Sequence, residues 1–344
     1  MTAITAATEE RDYLPQIRLW LWIMAALVFA MVIVGGATRL TDSGLSITEW
    51  QPILGIIPPF TGAAWLEAFE KYKLIPEFHK VNPGMTLGEF KAIYWWEWSH
   101  RFLGRFIGVA FIVPFLYFVG TRRIPSYLLP RLGVIFILGG LQGLLGWYMV
   151  MSGLVDRVDV SQYRLSAHLT LATVIFGAIV WTALGLNDRR HPPASGREWG
   201  ALVLVGLVLL QVSAGGFVAG LDAGMGYNTW PLMDGQLVPK GLFVMQPAWR
   251  NIFENAMTVQ FNHRLIAYLV AIIALALAWR IRSLPAKALA AAVILQIGLG
   301  IATLLMQVPL HLALTHQGGA MLVFAAALWL LHDLLSRAPA PDRR

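Results

Sequence analysis

Apolar residues in this chain come in long blocks rather than in alternation. Eight blocks reach or approach the ~20 residues a helix needs to cross a bilayer. They predict spanning helices at Leu19–Ala37, Trp98–Val119, Leu132–Met151, Leu165–Leu186, Trp199–Ala219, Phe261–Trp279, Ala286–Met306 and His311–Leu335. A long mixed segment, residues 39–97, separates the first two blocks, and within it Ala63–Tyr72 has an amphipathic helical pattern. Thr86 with Glu89 three residues on reads as a capping box, so the helix it opens can run unbroken into the second block. The pattern gives an all-α polytopic membrane protein.

The blocks fall into two matching sets of four. Gly35-Gly36 returns as Gly215-Gly216 at an offset of 180, which also aligns Asp42 with Asp222, Gly44 with Gly224, Trp50 with Trp230 and Pro59 with Pro239. His100 matches His263 at 163, Gln142 and Gly146 match Gln296 and Gly300 at 154, and His168 matches His316 at 148. The offset shrinks because the second half has shorter loops. Four helices is an even number, so both halves start on the same side. The expected architecture is two tandem four-helix bundles related by a pseudo-two-fold along the membrane normal. Its parts are an N-terminal segment 1–18, a first bundle 19–190, a second bundle 191–336 and a tail 337–344.

Charge sets the orientation. Only 13% of residues are charged, against about 25% in soluble proteins. The basic residues cluster in one set of linkers: Arg122, Arg123 and Arg131; Arg189, Arg190 and Arg197; Arg280, Arg282 and Lys287; Arg337, Arg343 and Arg344. With Arg11 and Arg18 they share one side, which positive-inside bias makes cytoplasmic, as both termini then are. The net charge of +7 is therefore a topology signal, and nucleic acid is not an expected partner. The N-terminus lacks a cleavable-signal or transit-peptide pattern, so the first block reads as a retained helix. The absence of cysteine excludes disulfides, thiolate ligands and covalently attached heme.

In that frame four histidines stand out. His100, His168, His263 and His316 open the four outside-to-inside helices, so all lie toward the outer face. An intramembrane histidine is costly without a partner. One alone can bond a neighbouring carbonyl; four at matched depth in a duplicated bundle read as axial ligands of two hemes. His79, His191, His311 and His332 lack this pattern and read as structural. Arg101 and Arg264 follow two of the ligands, and Arg39 and Arg164 sit at outer helix ends. All four are candidates to pair with heme propionates, with snorkelling to lipid phosphates as the alternative. Glycines four apart (Gly104 with Gly108, Gly139 with Gly143, Gly216 with Gly220) suit close helix packing, and Gln142 and Gln296 suit interhelical hydrogen bonds.

One position breaks the repeat. Glu97 lies one turn before His100, but its counterpart is Gln260. Only the first site has a carboxylate beside it, able to accept a proton or stabilise developing positive charge. The first site then does chemistry and the second stores or transfers electrons. An alternative role for Glu97 is to complement the helix dipole.

Longer motifs carry a resemblance. Gly35-Gly36-Ala37-Thr38-Arg39-Leu40-Thr41-Asp42-Ser43-Gly44-Leu45-Ser46, followed by Trp50-Gln51-Pro52 and Pro58-Pro59, resembles the first-loop signature of heme A synthases. Tyr94-Trp95-Trp96-Glu97-Trp98-Ser99-His100-Arg101 resembles that family's second-helix motif. The resemblance covers nearly the whole chain and is to the Cys-free type. It implies oxidation of a ring methyl of heme O to the formyl group of heme A, for terminal oxidases, in a bacterial cytoplasmic membrane. It implies heme b on His263 and His316, substrate heme O between His100 and His168, and a catalytic Glu97. Heme O synthase is the expected supplier; self-association stays open. Two readings compete: a di-heme electron-transfer cytochrome b, and a heme exporter or chaperone.

Overall fold

The computed structural model describes residues 13–155, 157–186, 191–193 and 195–337. Arg11, Arg189, Arg190, Arg343 and Arg344, the boundary expected at residue 190 and most of the two terminal segments lie outside the described residues.

Among the described residues the chain is helical, apart from an isolated bridge between Met233 and Gln236. In chain order the helices are α1 (Leu14–Leu40), α2 (Gly62–Tyr72), α3 (Pro76–Lys80), α4 (Leu87–Gly120), α5 (Leu129–Met151), α6 (Gln162–Leu184), α7 (Gly196–Gly220), α8 (Asn251–Glu254), α9 (Ala256–Ile281), α10 (Leu284–Leu305) and α11 (Leu310–Leu335). Eight of them, all but α2, α3 and α8, are long and apolar enough to cross a membrane. Most start ahead of their apolar block, because the caps stand outside it. Asn255 accepts from the N–H groups of Met257 and Thr258 to open α9, five residues before the block. The Thr86–Glu89 capping box forms and opens α4, which runs through His100 without a break. At 34 residues α4 is about 51 Å long, against ~30 Å of hydrocarbon, so its first turns project beyond the span.

The helices pair in a repeated way. The contacts α1–α4, α4–α5, α5–α6 and α1–α6 recur as α7–α9, α9–α10, α10–α11 and α7–α11, while α1–α11 mirrors α7–α6. Helices α6 and α11 also pack on each other and are the most buried spans. The outer helices α4, α5, α9 and α10 turn large side chains outward, among them Val113, Leu141, Ile272 and Leu295. In water such surfaces would aggregate; a bilayer solvates them. Of the small-residue pairs, only Gly216 and Gly220 mark a close crossing along their length. A Cβ there would lie 2.8 Å from Cα of Ser166 and 2.7 Å from Cα of Gln162 on α6. Gly108, Gly139 and Gly143 face no such neighbour. Both halves also leave their first helix through an aspartate in the left-handed region, Asp42 (φ 47°) and Asp222 (φ 48°).

The long loop folds over the protruding part of α4. Trp65, Phe69 and Tyr72 of α2 pack with Leu45, Ile75, Phe90 and Tyr94 into a small second core. The apolar face of α2 thus packs against the protruding turns of α4. Beside it, Glu77 on α3 is only 3% exposed, and its Oε2 is buried without a hydrogen-bond partner. Burial pushes its carboxyl up to about 8, with Asp42, Glu97 and Asp159 adding repulsion against the charged form. The folded protein then keeps a proton that the unfolded chain releases near 4.5. The resulting stability is complete below that value and is lost as pH rises through about 8. Thermal melts of the detergent-purified protein should fall across this window by an amount equivalent to a few kcal/mol, on the order of 1.4 per pK unit. Glu77→Gln should flatten the decline; an equally steep variant would remove Glu77 as its cause.

Candidate functional site

The four histidines meet at one level of the bundle. Each faces a glycine on an adjacent helix, and every one of those glycines falls five residues before its helix ends: Gly35 (Leu40), Gly146 (Met151), Gly215 (Gly220) and Gly300 (Leu305). A Cβ at Gly35 would lie 3.0 Å from Nε2 of His100, and one at Gly215 would lie 3.3 Å from Cε1 of His263. At Gly146 and Gly300 it would lie 2.9 and 2.8 Å from Cε1 of His168 and His316. Hydrogen is the only side chain these four places accommodate without moving the ring. The rings are half-buried, and His100 lies within electrostatic range of His168, as His263 does of His316. The structure therefore brings the histidines together as the two pairs that the repeat implies.

Glutamines hold most of the rings. Gln142 Nε2 on α5 donates to the backbone oxygen of His168 at 3.0 Å and stands 3.2 Å from its Nε2. Gln296 Nε2 on α10 repeats this at His316, 2.8 Å from its backbone oxygen and 3.1 Å from Nδ1. The expected interhelical bonds of these residues thus go to the histidines themselves. Gln211 on α7, which sequence reasoning missed, lies 3.2 and 3.1 Å from the two ring nitrogens of His263. Its signal was a lone amide one turn ahead of the glycine pair.

Glu97 is 2% exposed and fully engaged. It accepts from Ser46 Oγ at 2.8 Å, from the Ile47 N–H at 2.6 Å and from Arg101 Nη2 at 2.5 Å. Arg101 also donates to the backbone oxygens of Ile47 and Glu49. The second half repeats the frame with opposite polarity. Gln260 donates to the backbone oxygens of Ala223 and Gly226 at 2.7 and 2.8 Å, and Arg264 bonds Gln260 and the oxygen of Tyr227, the counterpart of Ile47. One loop presents donors to a carboxylate; the other presents acceptors to an amide.

The other arginines have their own partners. Arg39 pairs with Asp222 and the backbone oxygen of Ala219, tying the halves together. Arg164 bonds the oxygen of Tyr148 at 2.6 Å and lies over that ring. Arg264 keeps a buried Nε without a partner, and so does Nη1 of Arg105, which the sequence did not single out. His191 bonds the backbone oxygen of Arg337, and His332 packs edge-on against Trp181.

The donor set fits heme. Among the described residues no three His, Cys, Asp or Glu side chains gather to hold a bare ion. Two imidazoles supply only the axial ligands, leaving the rest of the coordination to a porphyrin. The buried Nδ1 of His168 and the glycine cradles suit rings fixed edge-on to a flat group. The fold and site together define a polytopic helical membrane protein with two repeated histidine pairs whose donor set suits heme. Residues 18–328 match the family model described as cytochrome oxidase assembly protein, COX15-CtaA, and the chain belongs to that family. It is 55% identical over 320 residues to the heme A synthase of Parvibaculum lavamentivorans, covering 92% of this chain and 93% of that one. It is 54% identical to that of Mesorhizobium japonicum, over 96% and 95% of the two chains. With that of Nitrosospira multiformis it shares 53% over 92% and 93%.

Proposed function

We propose that this chain works as a heme A synthase, oxidising a ring methyl of heme O to the formyl group of heme A. The carrying observation is the broken repeat: two matched histidine pairs, of which only one has a buried carboxylate one turn away. In this reading His100 and His168 bracket substrate heme O, and His263 and His316 hold a resident heme b. When bound, heme b supplies a one-electron couple beside the substrate. Each of two hydroxylations would replace a C–H by a C–OH with the oxygen of water, releasing two protons and two electrons. The electrons would leave one at a time by way of the resident heme to a one-electron acceptor outside the chain. The methyl would thus become an alcohol and then a geminal diol, which loses water to the aldehyde. Glu97 takes up the protons that leave the substrate carbon and water, and Arg101 disperses the charge that this carboxylate carries. The unpartnered Nε–H of Arg264 is a donor suited to a propionate carboxylate.

We place the protein in the bacterial cytoplasmic membrane as two tandem four-helix bundles, with both termini cytoplasmic and both heme sites toward the outer face. The mirrored helix contacts support this arrangement, and heme O synthase is the proposed supplier. Expression with and without a heme O source, followed by pigment extraction, tests the reading. The expected result is one constant heme b plus heme O, intermediate and heme A only when heme O is supplied. Two invariant, identical hemes would favour an electron-transfer cytochrome instead.

A further inference from the structure

Three of the four imidazoles are held by a glutamine, and one is not. Gln142, Gln296 and Gln211 reach His168, His316 and His263. By the repeat, a fourth glutamine belongs on α1, 180 residues before Gln211. That position is Met31. Met31-Val32-Ile33-Val34-Gly35-Gly36 and Gln211-Val212-Ser213-Ala214-Gly215-Gly216 share the glycine pair but not the amide. The Met31 methyl lies against α4 one turn beyond His100, where a Cβ at Gly104 would stand 3.2 Å from it. Among the described residues no side chain bonds the His100 ring.

The glutamines share a second feature: Oε1 of Gln142, Gln211 and Gln296 is buried with no partner. An iron-bound imidazole presents its other N–H to an acceptor, which fixes the ring and raises its basicity. In the structure the amide nitrogen faces the ring and the oxygen is spare. Turned over, the carboxamide would offer that oxygen to the ring N–H as such an acceptor, whereas a thioether is a weak one. The two sites also face different demands. A resident heme must stay, whereas product must leave although it differs from substrate at one rim substituent. A rim contact discriminates weakly. Exchange is more readily built into the axial side, by leaving one ligand unsupported.

Resting on the assignment of the second pair to the resident heme, we propose that Gln211 is the positioning residue that makes this heme permanent. Met31, its counterpart, leaves His100 free to turn, and substrate and product exchange on that side.

The test uses full-length protein purified from membranes supplied with heme O. Wild type, Gln211→Met, Gln211→Glu and Met31→Gln are mixed with excess apomyoglobin, and each heme is identified by extraction. Wild type should give up heme O and heme A and keep heme b. Gln211→Met should lose heme b about 10–100-fold faster. Gln211→Glu, which keeps an acceptor oxygen, should restore retention and lower the midpoint potential of that heme. A merely structural glutamine would show neither the rescue nor the shift in potential. Met31→Gln should hold the first-site heme about tenfold longer, and it decides alone if Gln211→Met does not accumulate. Unchanged transfer rates in both Gln211→Met and Met31→Gln overturn the inference. Two identical, non-exchanging hemes in wild type would instead defeat the functional reading, and Gln211→Met would still have to loosen one of them for the anchoring to stand.

Discussion

Glu97→Gln should leave both hemes in place and stop the formyl group from being made. The substitution keeps the side chain's volume and one acceptor oxygen, which at the Oε2 place still serves Ser46 Oγ and the Ile47 N–H, 2.8 and 2.6 Å away, while Arg101 keeps its bonds to the backbone oxygens of Ile47 and Glu49. The second half already accommodates an amide here, with Arg264 bonded to Gln260 at 3.1 Å. What is lost is the capacity to take a proton. Removing a positioned acid–base group costs roughly 10²–10⁴ in rate, and heme A in the membranes should fall by that order while heme b stays constant. The converse change, Arg101→Ala, would strand a buried carboxylate at a cost of about 3–5 kcal/mol. It would also free the loop at Ile47 and Glu49, so it reports on folding as much as on chemistry. Wild-type yields of heme A in Glu97→Gln, measured on extracted pigments, would reduce the residue to a clamp on that loop.

Much of this arrangement was readable before any coordinate. The eight blocks became eight helices because apolar length is dictated by the bilayer and leaves little room for tertiary override. The histidine pairs followed because duplication repeats each histidine on the corresponding helix of the other half. Legibility failed where the partner is backbone. Nothing in the residue types says that Ser46 and Ile47 give donors to Glu97 whereas Ala223 and Gly226 give acceptors to Gln260; that depends on how each loop turns. It failed again where polar residues were weighed singly. Arg39 read as a helix-end cation, yet it reaches Asp222, 183 positions away, across the junction of the halves. Gln211 passed unnoticed because its counterpart, Met31, is apolar, so comparing the halves for likeness hid what comparing them for difference reveals. The glycines at 108, 139 and 143 illustrate the opposite error: four-residue spacing suggested close helix contacts along each pair, which the fold makes only at Gly216 and Gly220.

The glycine cradles allow the two pairs to be separated by a single methyl group. Alanine is a better helix former than glycine by about 1 kcal/mol, so neither Gly146→Ala nor Gly300→Ala should weaken α5 or α10. Each new Cβ would nevertheless stand under 3 Å from Cε1 of its histidine, at 2.9 Å for His168 and 2.8 Å for His316. The hydrogen-bonded backbone of a helix yields little, so the ring must turn away from its place and from its glutamine. Misplacing a ligand and its support in this way costs about 10–100-fold in affinity. The outcomes should cross. Gly300→Ala should be purified with little heme b, and therefore make little heme A, while its first site still takes up heme O. Gly146→Ala should keep heme b at wild-type levels and lose heme O and heme A from the purified protein. Loss of the same pigment from both variants would mean that the halves do not divide the work, and the assignment of substrate to one pair and resident heme to the other would fall with it.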